Sequence, residues 1–256
     1  MNVKGKAAIV TGSSSAEGIG GETVKMLAQK GCNVVVNYSG NGAGAEKVAA
    51  DCRALGVQAI AVKCNVAEDS ECVAMVEQAI KTFGRLDILV NNAAVTKPIK
   101  HKDMHLLNKA EFEWIFGVNV IGNYQMSRAC APHLKAHGDG VIVNISSVGA
   151  FRAGGSNIAY CASKAAVNNL TLSLARALAP EVRVNALCPG GLFGPWTNKI
   201  LDDKAYEARV QAAKDEYPLG KGLWPKDVAE AALALIEGFG TMTGESIRMD
   251  SGQHLG

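Results

Sequence analysis

The chain reads as an α/β protein built on a doubly wound parallel sheet of about seven strands, with helices on both faces. Short apolar, β-branched runs alternate with helix-patterned segments along the whole length, which requires crossover connections and a sheet covered on both sides. The composition agrees: 48% hydrophobic but only 5% aromatic, with 28 glycines, fits an alanine- and valine-rich parallel sheet better than a sandwich. A glycine-rich turn also joins the first strand directly to the first helix, between Thr11 and Gly20.

Taken in order, Lys6 to Thr11 is the first expected strand, followed by a helix from about Gly20 to Lys30. Cys32 to Asn37 and Ala59 to Asn65 are the next two strands, each leading into a helix, about Ala43 to Leu55 and Ser70 to Phe83. Leu86 to Asn91 is the fourth strand. A long helix then runs from about Lys109 to Lys135, interrupted by Gly117 and Gly122. Val141 to Ile145 and Val182 to Leu187 are strands five and six, separated by a helix from about Asn157 to Leu178. Pro225, favoured in a first helical turn, opens a helix to Gly238, and Ser246 to Met249 closes the series. One segment breaks the rhythm. Gly190 to Gly222 has no strand and a single polar helix near Asp202 to Glu216, the pattern of a lid over a site at the carboxyl ends of strands.

The 256 residues suit one large α/β domain over 1–256, with that lid at about 190–222. The net charge of +2 is spread out, and no basic cluster points to nucleic acid or a membrane surface. Seven cysteines without a C-x-x-C pair indicate neither a disulfide framework nor a zinc site. No metal is expected, since the histidines show no ligand motif; His101 and His105 share helical spacing amid lysines, as a solvated surface would. The N-terminus runs straight into a strand without a signal peptide's apolar core, and no apolar run approaches the ~18 residues of a membrane span. The cytoplasm is the expected location.

Thr11-Gly12-Ser13-Ser14-Ser15-Ala16-Glu17-Gly18-Ile19-Gly20 has the chemistry of a phosphate cradle. Glycines let backbone approach a pyrophosphate, and the following helix aims its N-terminal N–H groups at the charge. Glycine turns also join strands to helices without any ligand, so position after the first strand is what makes this one informative.

Ser147 precedes Tyr160 by thirteen positions and Lys164 follows Tyr160 by four. On a helix, i and i+4 share a face, so Tyr160 and Lys164 project side by side. An ammonium beside a phenol favours phenolate and is expected to lower the tyrosine pKa from about 10. Such a tyrosine donates a proton to a nascent alkoxide or removes one from an alcohol, and Ser147 can hydrogen-bond the same oxygen.

Collectively these residues resemble the short-chain dehydrogenase/reductase family in its compact single-domain, Rossmann-type form, over essentially the full chain. The glycine turn is similar to the family's Thr-Gly-x-x-x-Gly-x-Gly, and Asn91-Asn92-Ala93-Ala94 to its Asn-Asn-Ala-Gly. Asn119, the set Ser147, Tyr160 and Lys164, and Asn185 with Pro189-Gly190 match further family positions. The resemblance implies reversible hydride transfer between nicotinamide and a ketone or secondary alcohol. Tyr160 would be the general acid/base, Lys164 would also hold the nicotinamide ribose, Ser147 would polarise the carbonyl, and Asn119 would hold a relay water. It further implies cofactor contacts from Gly12, Ser14, Gly18 and Ile19 in the turn, and from Tyr38 and Ser39 after strand two. Asn65 and Val66 follow strand three, Asn92 and Ala93 strand four, and Pro189, Gly190 and Leu192 strand six.

The chain departs from the family pattern in several places. Five residues stand between Gly12 and Gly18 where the pattern has three; the extra pair either bulges outward or reshapes the adenosine pocket. Asn65 replaces a frequent aspartate, Ala94 a glycine, and Gly194 a threonine near the nicotinamide, for which Thr197 is a candidate substitute. Tyr38 stands where NAD sites place a carboxylate for the ribose 2′-hydroxyl. Losing that carboxylate favours NADP(H) over NAD(H), with Ser39 available to a 2′-phosphate, although Glu17 lies in the turn where NADP enzymes often carry a base.

Among family members the chain most resembles 3-oxoacyl-(acyl carrier protein) reductases. Sugar-alcohol and cyclic-alcohol dehydrogenases share the motifs, and a non-catalytic cofactor-binding regulator is the alternative from another class. Trp196, Phe193 and Trp224 bracket the lid, as a substrate wall or as packing. Arg152 is placed to meet an anionic substrate or to sit in a solvated loop, and Cys161 reads as a packing residue. By resemblance the partner is a second copy of the chain, in a homotetramer using the long helices, where Ala165, Ala166, Ala175 and Ala177 permit close packing.

Overall fold

The computed structural model describes residues 1–194 and 203–255. Its seven strands are β1 (Ala7–Val10), β2 (Asn33–Tyr38), β3 (Ala59–Lys63), β4 (Ile88–Asn91), β5 (Gly140–Ile145), β6 (Val182–Pro189) and β7 (Ser246–Met249). They form one sheet in the order β3-β2-β1-β4-β5-β6-β7, every pair parallel, as the alternation of strands and helices predicts.

Each central strand is apolar on both sides because it feeds two cores. In β1, Ala8 and Val10 face one core and Ile9 the other; in β2, Val34 and Val36 oppose Val35 in the same way. The first core is covered by α1 (Ile19–Gln29), α2 (Gly42–Arg53) and α8 (Pro225–Glu237). The second is covered by α3 (Asp69–Phe83), α5 (Asn123–Lys135) and α6 (Ile158–Leu178). Two further helices, α4 (Lys109–Phe116) and α7 (Asp203–Glu216), lie at the carboxyl end of the sheet's connections.

Local chemistry sets the helix ends. Asn108 and Glu111 form a capping box on α4, Asn157 caps α6 by accepting from the Tyr160 N–H at 2.7 Å, and Asp227 accepts from the Trp224 N–H ahead of α8. The long helix expected from Lys109 to Lys135 is one path of three parts. Between α4 and α5, Gly117–Gly122 winds as a π-helix bounded by the two glycines that interrupt the sequence pattern. A Cβ at Gly122 would lie 2.7 Å from Val66 Cγ2, so the widened turn presses against the segment after β3.

At the opposite end of the sheet, the fully buried Asp87 carboxylate accepts from the Ala7 N–H at 2.9 Å and from Arg85 Nε at 2.8 Å. Among the described residues no helix is long and apolar enough to cross a membrane.

Candidate active site

β1 is bonded to β2 on one side and β4 on the other, so the chain's winding reverses there and leaves a crevice at the carboxyl ends, the usual ligand position in such sheets. The glycine turn lines it and is stitched to both neighbours. Gly12 N–H donates to Asn37 Oδ1 at 2.9 Å, while Thr11 Oγ1 accepts from the N–H groups of Asn92 and Ala93, both at 2.9 Å. Asn92 Nδ2 donates to the carbonyls of Thr11 and Gly12 at 2.9 Å. Only glycine fits at two of these positions: a Cβ on Gly12 would lie 2.9 Å from Ala93 Cα, and one on Gly20 2.7 Å from the Gly12 carbonyl oxygen.

The extra residues of the turn fold back over α1. Gly18 N–H closes a turn onto the Ser15 carbonyl at 3.0 Å, and Lys25 Nζ donates to the Ala16 carbonyl at 3.0 Å. The Ser15 carbonyl lies so close to α1 that a Cβ at Gly21 would stand 2.0 Å from it, so the fourth glycine accommodates the longer turn. Gly18 itself is the N-cap of α1 and supplies no side-chain cap, unlike Asn41, Asn108 and Asn157 on their helices. The first N–H groups of α1, beginning at Ile19, are therefore uncapped by any side chain, which is the donor set a pyrophosphate requires. The residues present fit a dinucleotide.

The remaining cofactor candidates lie at or just past the carboxyl ends of β2, β3 and β6. Tyr38 ends β2 with its ring over Gly42, where a Cβ would lie 3.1 Å from Tyr38 Cε2, and Ser39 beside it is exposed. Asn65 N–H donates to Glu71 Oε2 at 2.8 Å and Asn65 Oδ1 accepts from Ala67 N–H at 3.2 Å. Val66 is buried, and its carbonyl accepts from Gln125 Nε2 at 2.7 Å. Pro189 ends β6, Gly190 N–H donates to the Met249 carbonyl at 2.7 Å, and Leu192 bridges to Leu223. Trp196 and Thr197 lie outside the described residues.

Ser147, Tyr160 and Lys164 converge at the ends of β5 and α6. Ser147 Oγ accepts from the Gly149 N–H at 3.1 Å and stands near enough to the Tyr160 hydroxyl to lower its pKa. Lys164 is 3% exposed; its Nζ lies 5.6 Å from the centroid of the Tyr160 ring and donates to the Ile145 carbonyl at 2.8 Å. Burial, partly offset by the Ser147 hydrogen bond, pushes the Tyr160 phenol up to about 12, and burial pushes Lys164 down to about 8. This runs against the expectation of a depressed tyrosine: in so dry a site desolvation of the phenolate outweighs the lowering by Ser147.

Asn119 sits in the π-helix and spends its amide on protein. Its Oδ1 accepts from the Val95 N–H at 2.8 Å, and its Nδ2 donates to the Val95 carbonyl at 3.1 Å and to Ser163 Oγ at 3.0 Å. The side chain thereby ties the segment after β4 to α6, beside the Tyr160–Lys164 pair. Sequence reasoning did not name Thr11, Asn37, Asn157 or Ser163 as site residues, yet they position the turn and α6. Asn157 alone carries a readable signal, an N-cap residue three positions before Tyr160. The other three act through contacts between distant segments.

A parallel sheet with an uncapped helix at its switch point and a Ser-Tyr-Lys cluster beside it defines a pyridine-nucleotide oxidoreductase. The family model described as enoyl-(acyl carrier protein) reductase matches residues 12–254. A Streptomyces violaceoruber protein named as ketoacyl reductase 2 of the granaticin polyketide synthase is 39% identical over 248 residues, covering 97% of this chain and 96% of its own. The 3-oxoacyl-[acyl-carrier-protein] reductase of Staphylococcus aureus is 33% identical over 254 residues, 98% of each chain. The crystal structure of a Brucella melitensis 3-ketoacyl-(acyl-carrier-protein) reductase complexed with NADH superposes with a TM-score of 0.84 at 34% identity, covering 98% of this chain and 99% of that one. The chain belongs to the short-chain dehydrogenase/reductase family, and it is an oxidoreductase acting between a ketone and its alcohol.

Proposed function

We propose that this protein reduces the keto group of a 3-oxoacyl thioester, with NADPH preferred over NADH. The observation that carries the reading is the convergence of Ser147, Tyr160 and Lys164 within reach of the uncapped α1 crevice. The relatives' names, ketoacyl and 3-oxoacyl reductases, supply the substrate class.

The bound nicotinamide supplies the hydride. The backbone of Gly12, Ser14, Gly18 and Ile19 would hold the pyrophosphate, Asn65 and Val66 would meet the adenine, and Ala93, Pro189, Gly190 and Leu192 would hold the nicotinamide end. Asn92 acts at one remove, by bracing the glycine turn. Ser147 donates to the carbonyl oxygen where negative charge develops. Tyr160, protonated at neutral pH because its burial raises its pKa, delivers its proton to that oxygen as it becomes an alkoxide. Lys164, a cation below about pH 8, steadies the phenolate left behind and holds the nicotinamide ribose. Asn119 positions α6 against the segment after β4.

The NADPH preference rests on Tyr38, which leaves the end of β2 without a carboxylate, and on Ser39 exposed beside it. We place the protein in the cytoplasm as a homotetramer, with residues 190–222 acting as a lid on its single 1–256 domain. Supporting the assembly, Trp114, Ile121 and Tyr124 are 46–51% exposed on one stretch of α4, the π-helix and α5, and Leu172 is exposed on α6. The test is NADPH oxidation with an acetoacetyl thioester, run beside Tyr160→Phe and repeated with NADH. Binding of NADPH without turnover on any ketone or alcohol would refute the catalytic reading.

A further inference from the structure

The end of β6 opens into a second cluster of polar groups that the catalytic residues do not use. Gly191 stands two residues past Pro189, and its position admits α7. A Cβ there would lie 2.5 Å from Arg209 Nη2 and 3.5 Å from the Tyr217 hydroxyl, so the missing side chain is what lets both groups come down to the floor. The Arg209 guanidinium rests 5.5 Å from the centroid of the Phe193 ring. Gln253 Nε2 donates to the Tyr217 hydroxyl at 3.0 Å, and Gln253 Oε1 accepts from Arg152 Nη2 at 2.6 Å. The chain of contacts thus ends on the loop between Ser147 and Tyr160.

The cluster carries positive charge. Arg53, Arg85 and Arg128 each pair with a carboxylate, from Glu46, Asp87 and Asp69. Among the described residues neither Arg152 nor Arg209 does. The carboxylate backing Gly190, that of Asp250, is turned instead to the Gly252 N–H at 3.1 Å and to His254 Nδ1 at 2.9 Å. Two cations, a hydroxyl and an amide are thus linked around Gly191 and Gln253, and neither cation is in an ion pair among the described residues. Guanidinium groups are suited to this duty, because their planar fork matches the oxygens of carboxylate or phosphate.

The cluster lies at the same end of the sheet as the chemistry: Ile145 pairs with Leu187 at the carboxyl ends of β5 and β6, with Ser147 two residues past the first and Gly191 four past the second. We propose that Arg209 and Arg152, with Tyr217 and Gln253, form a pocket for an anionic oxygen group of the substrate. This deepens the assignment as a ketone reductase and rests on it. Two sources share the chemistry: the carboxylate of a short oxo acid, or a phosphate on the carrier arm of an acyl thioester.

The test measures kcat/KM with two matched pairs, acetoacetate against its methyl ester, and acetoacetyl-coenzyme A against the neutral acetoacetyl N-acetylcysteamine thioester. Arg209→Gln and Arg152→Gln are expected to raise KM at least tenfold for one anionic member, with its neutral partner unchanged. Arg209→Lys should recover part of the loss. A loss confined to acetoacetate assigns the carboxylate, and one confined to the coenzyme A ester assigns the phosphate. Equal losses on anionic and neutral members would overturn the pocket, as would a rise in the NADPH KM with substrate discrimination intact. Were none of the four turned over, the reductase assignment would fall by itself. The pocket would then be read by calorimetry with acetoacetate and with coenzyme A, and equal binding of both by wild type and Arg209→Gln would overturn it.

Discussion

Lys164 Nζ lies 5.6 Å from the centroid of the Tyr160 ring, yet its short hydrogen bond, 2.8 Å, goes to the carbonyl of Ile145 at the end of β5. Helical spacing on α6 sets the two side chains on one face, and the hydrogen bond to Ile145 ties the ammonium to the end of β5. Burial acts on both members in opposite directions, raising the phenol to about 12 and lowering the ammonium to about 8.

Tyr160→Phe removes the proton donor and leaves the cofactor crevice untouched. Turnover should drop at least about a thousandfold, the scale of a lost acid with its oriented partner, while the NADPH dissociation constant stays within about twofold. Steady-state rates and fluorescence titration of NADPH read the two quantities separately. Near-wild-type turnover would sink the assignment.

The reductive pH profile should follow Lys164 rather than Tyr160. The phenol keeps its proton until about pH 12, but the ammonium loses its proton as pH rises through about 8. kcat/KM for reduction is therefore expected to decline above about pH 8, and Lys164→Arg to move that decline to higher pH. Initial rates between about pH 6 and pH 11 decide it; a profile flat to pH 10 contradicts the coupling.

Lys164 also costs stability. Its folded pKa of about 8 lies below the ordinary 10.5, so the unfolded chain binds more protons in between and stability rises with pH through that window. The cost is fully present below about pH 8 and gone above about 10.5. Lys164→Met should then be inactive yet melt at or above the wild-type temperature at pH 7, with the difference shrinking by pH 10. Calorimetric melting curves at the two pH values check this, and a large fall in Tm at pH 7 would refute it.

Asp87 does the opposite for the fold. Burial pushes its carboxyl up, but the Arg85 guanidinium, the Ala7 N–H and Lys6 outweigh that and hold it below the usual carboxylate range. Its stabilisation is present above that range and is lost as pH falls through the folded value. Asp87→Asn leaves Arg85 without its carboxylate partner and should destabilise by about 3–5 kcal/mol at neutral pH, with a smaller penalty in acid. Urea unfolding at pH 7 and at pH 3 measures both.

Cofactor choice is expected to turn on Tyr38. Tyr38→Asp restores a carboxylate at the end of β2, where it repels a 2′-phosphate and accepts from a 2′-hydroxyl. The ratio of kcat/KM for NADH to that for NADPH should rise at least about tenfold, a difference of about 1.4 kcal/mol. An unchanged ratio would move the discrimination elsewhere in the crevice.

Much of this was legible in the residues alone. The central strands are short apolar runs, and a strand that reads as apolar throughout must be buried on both faces, so the parallel sheet follows without any knowledge of contacts. Helical spacing put Tyr160 beside Lys164, and Gly117 and Gly122 marked the interruption that the π-helix occupies. These are properties of local period and of residues whose backbone freedom is unusual. Tertiary structure decided the rest, because it depends on which distant segments meet. The longer glycine turn lies back on α1 because Gly21 leaves room for the Ser15 carbonyl and Lys25 reaches Ala16. Asn119 became a tether because Val95 and Ser163 happen to surround its amide. The direction of the Tyr160 shift was set by desolvation, a quantity that exists only once the chain has closed around the phenol, and no spacing of residues along a sequence encodes it.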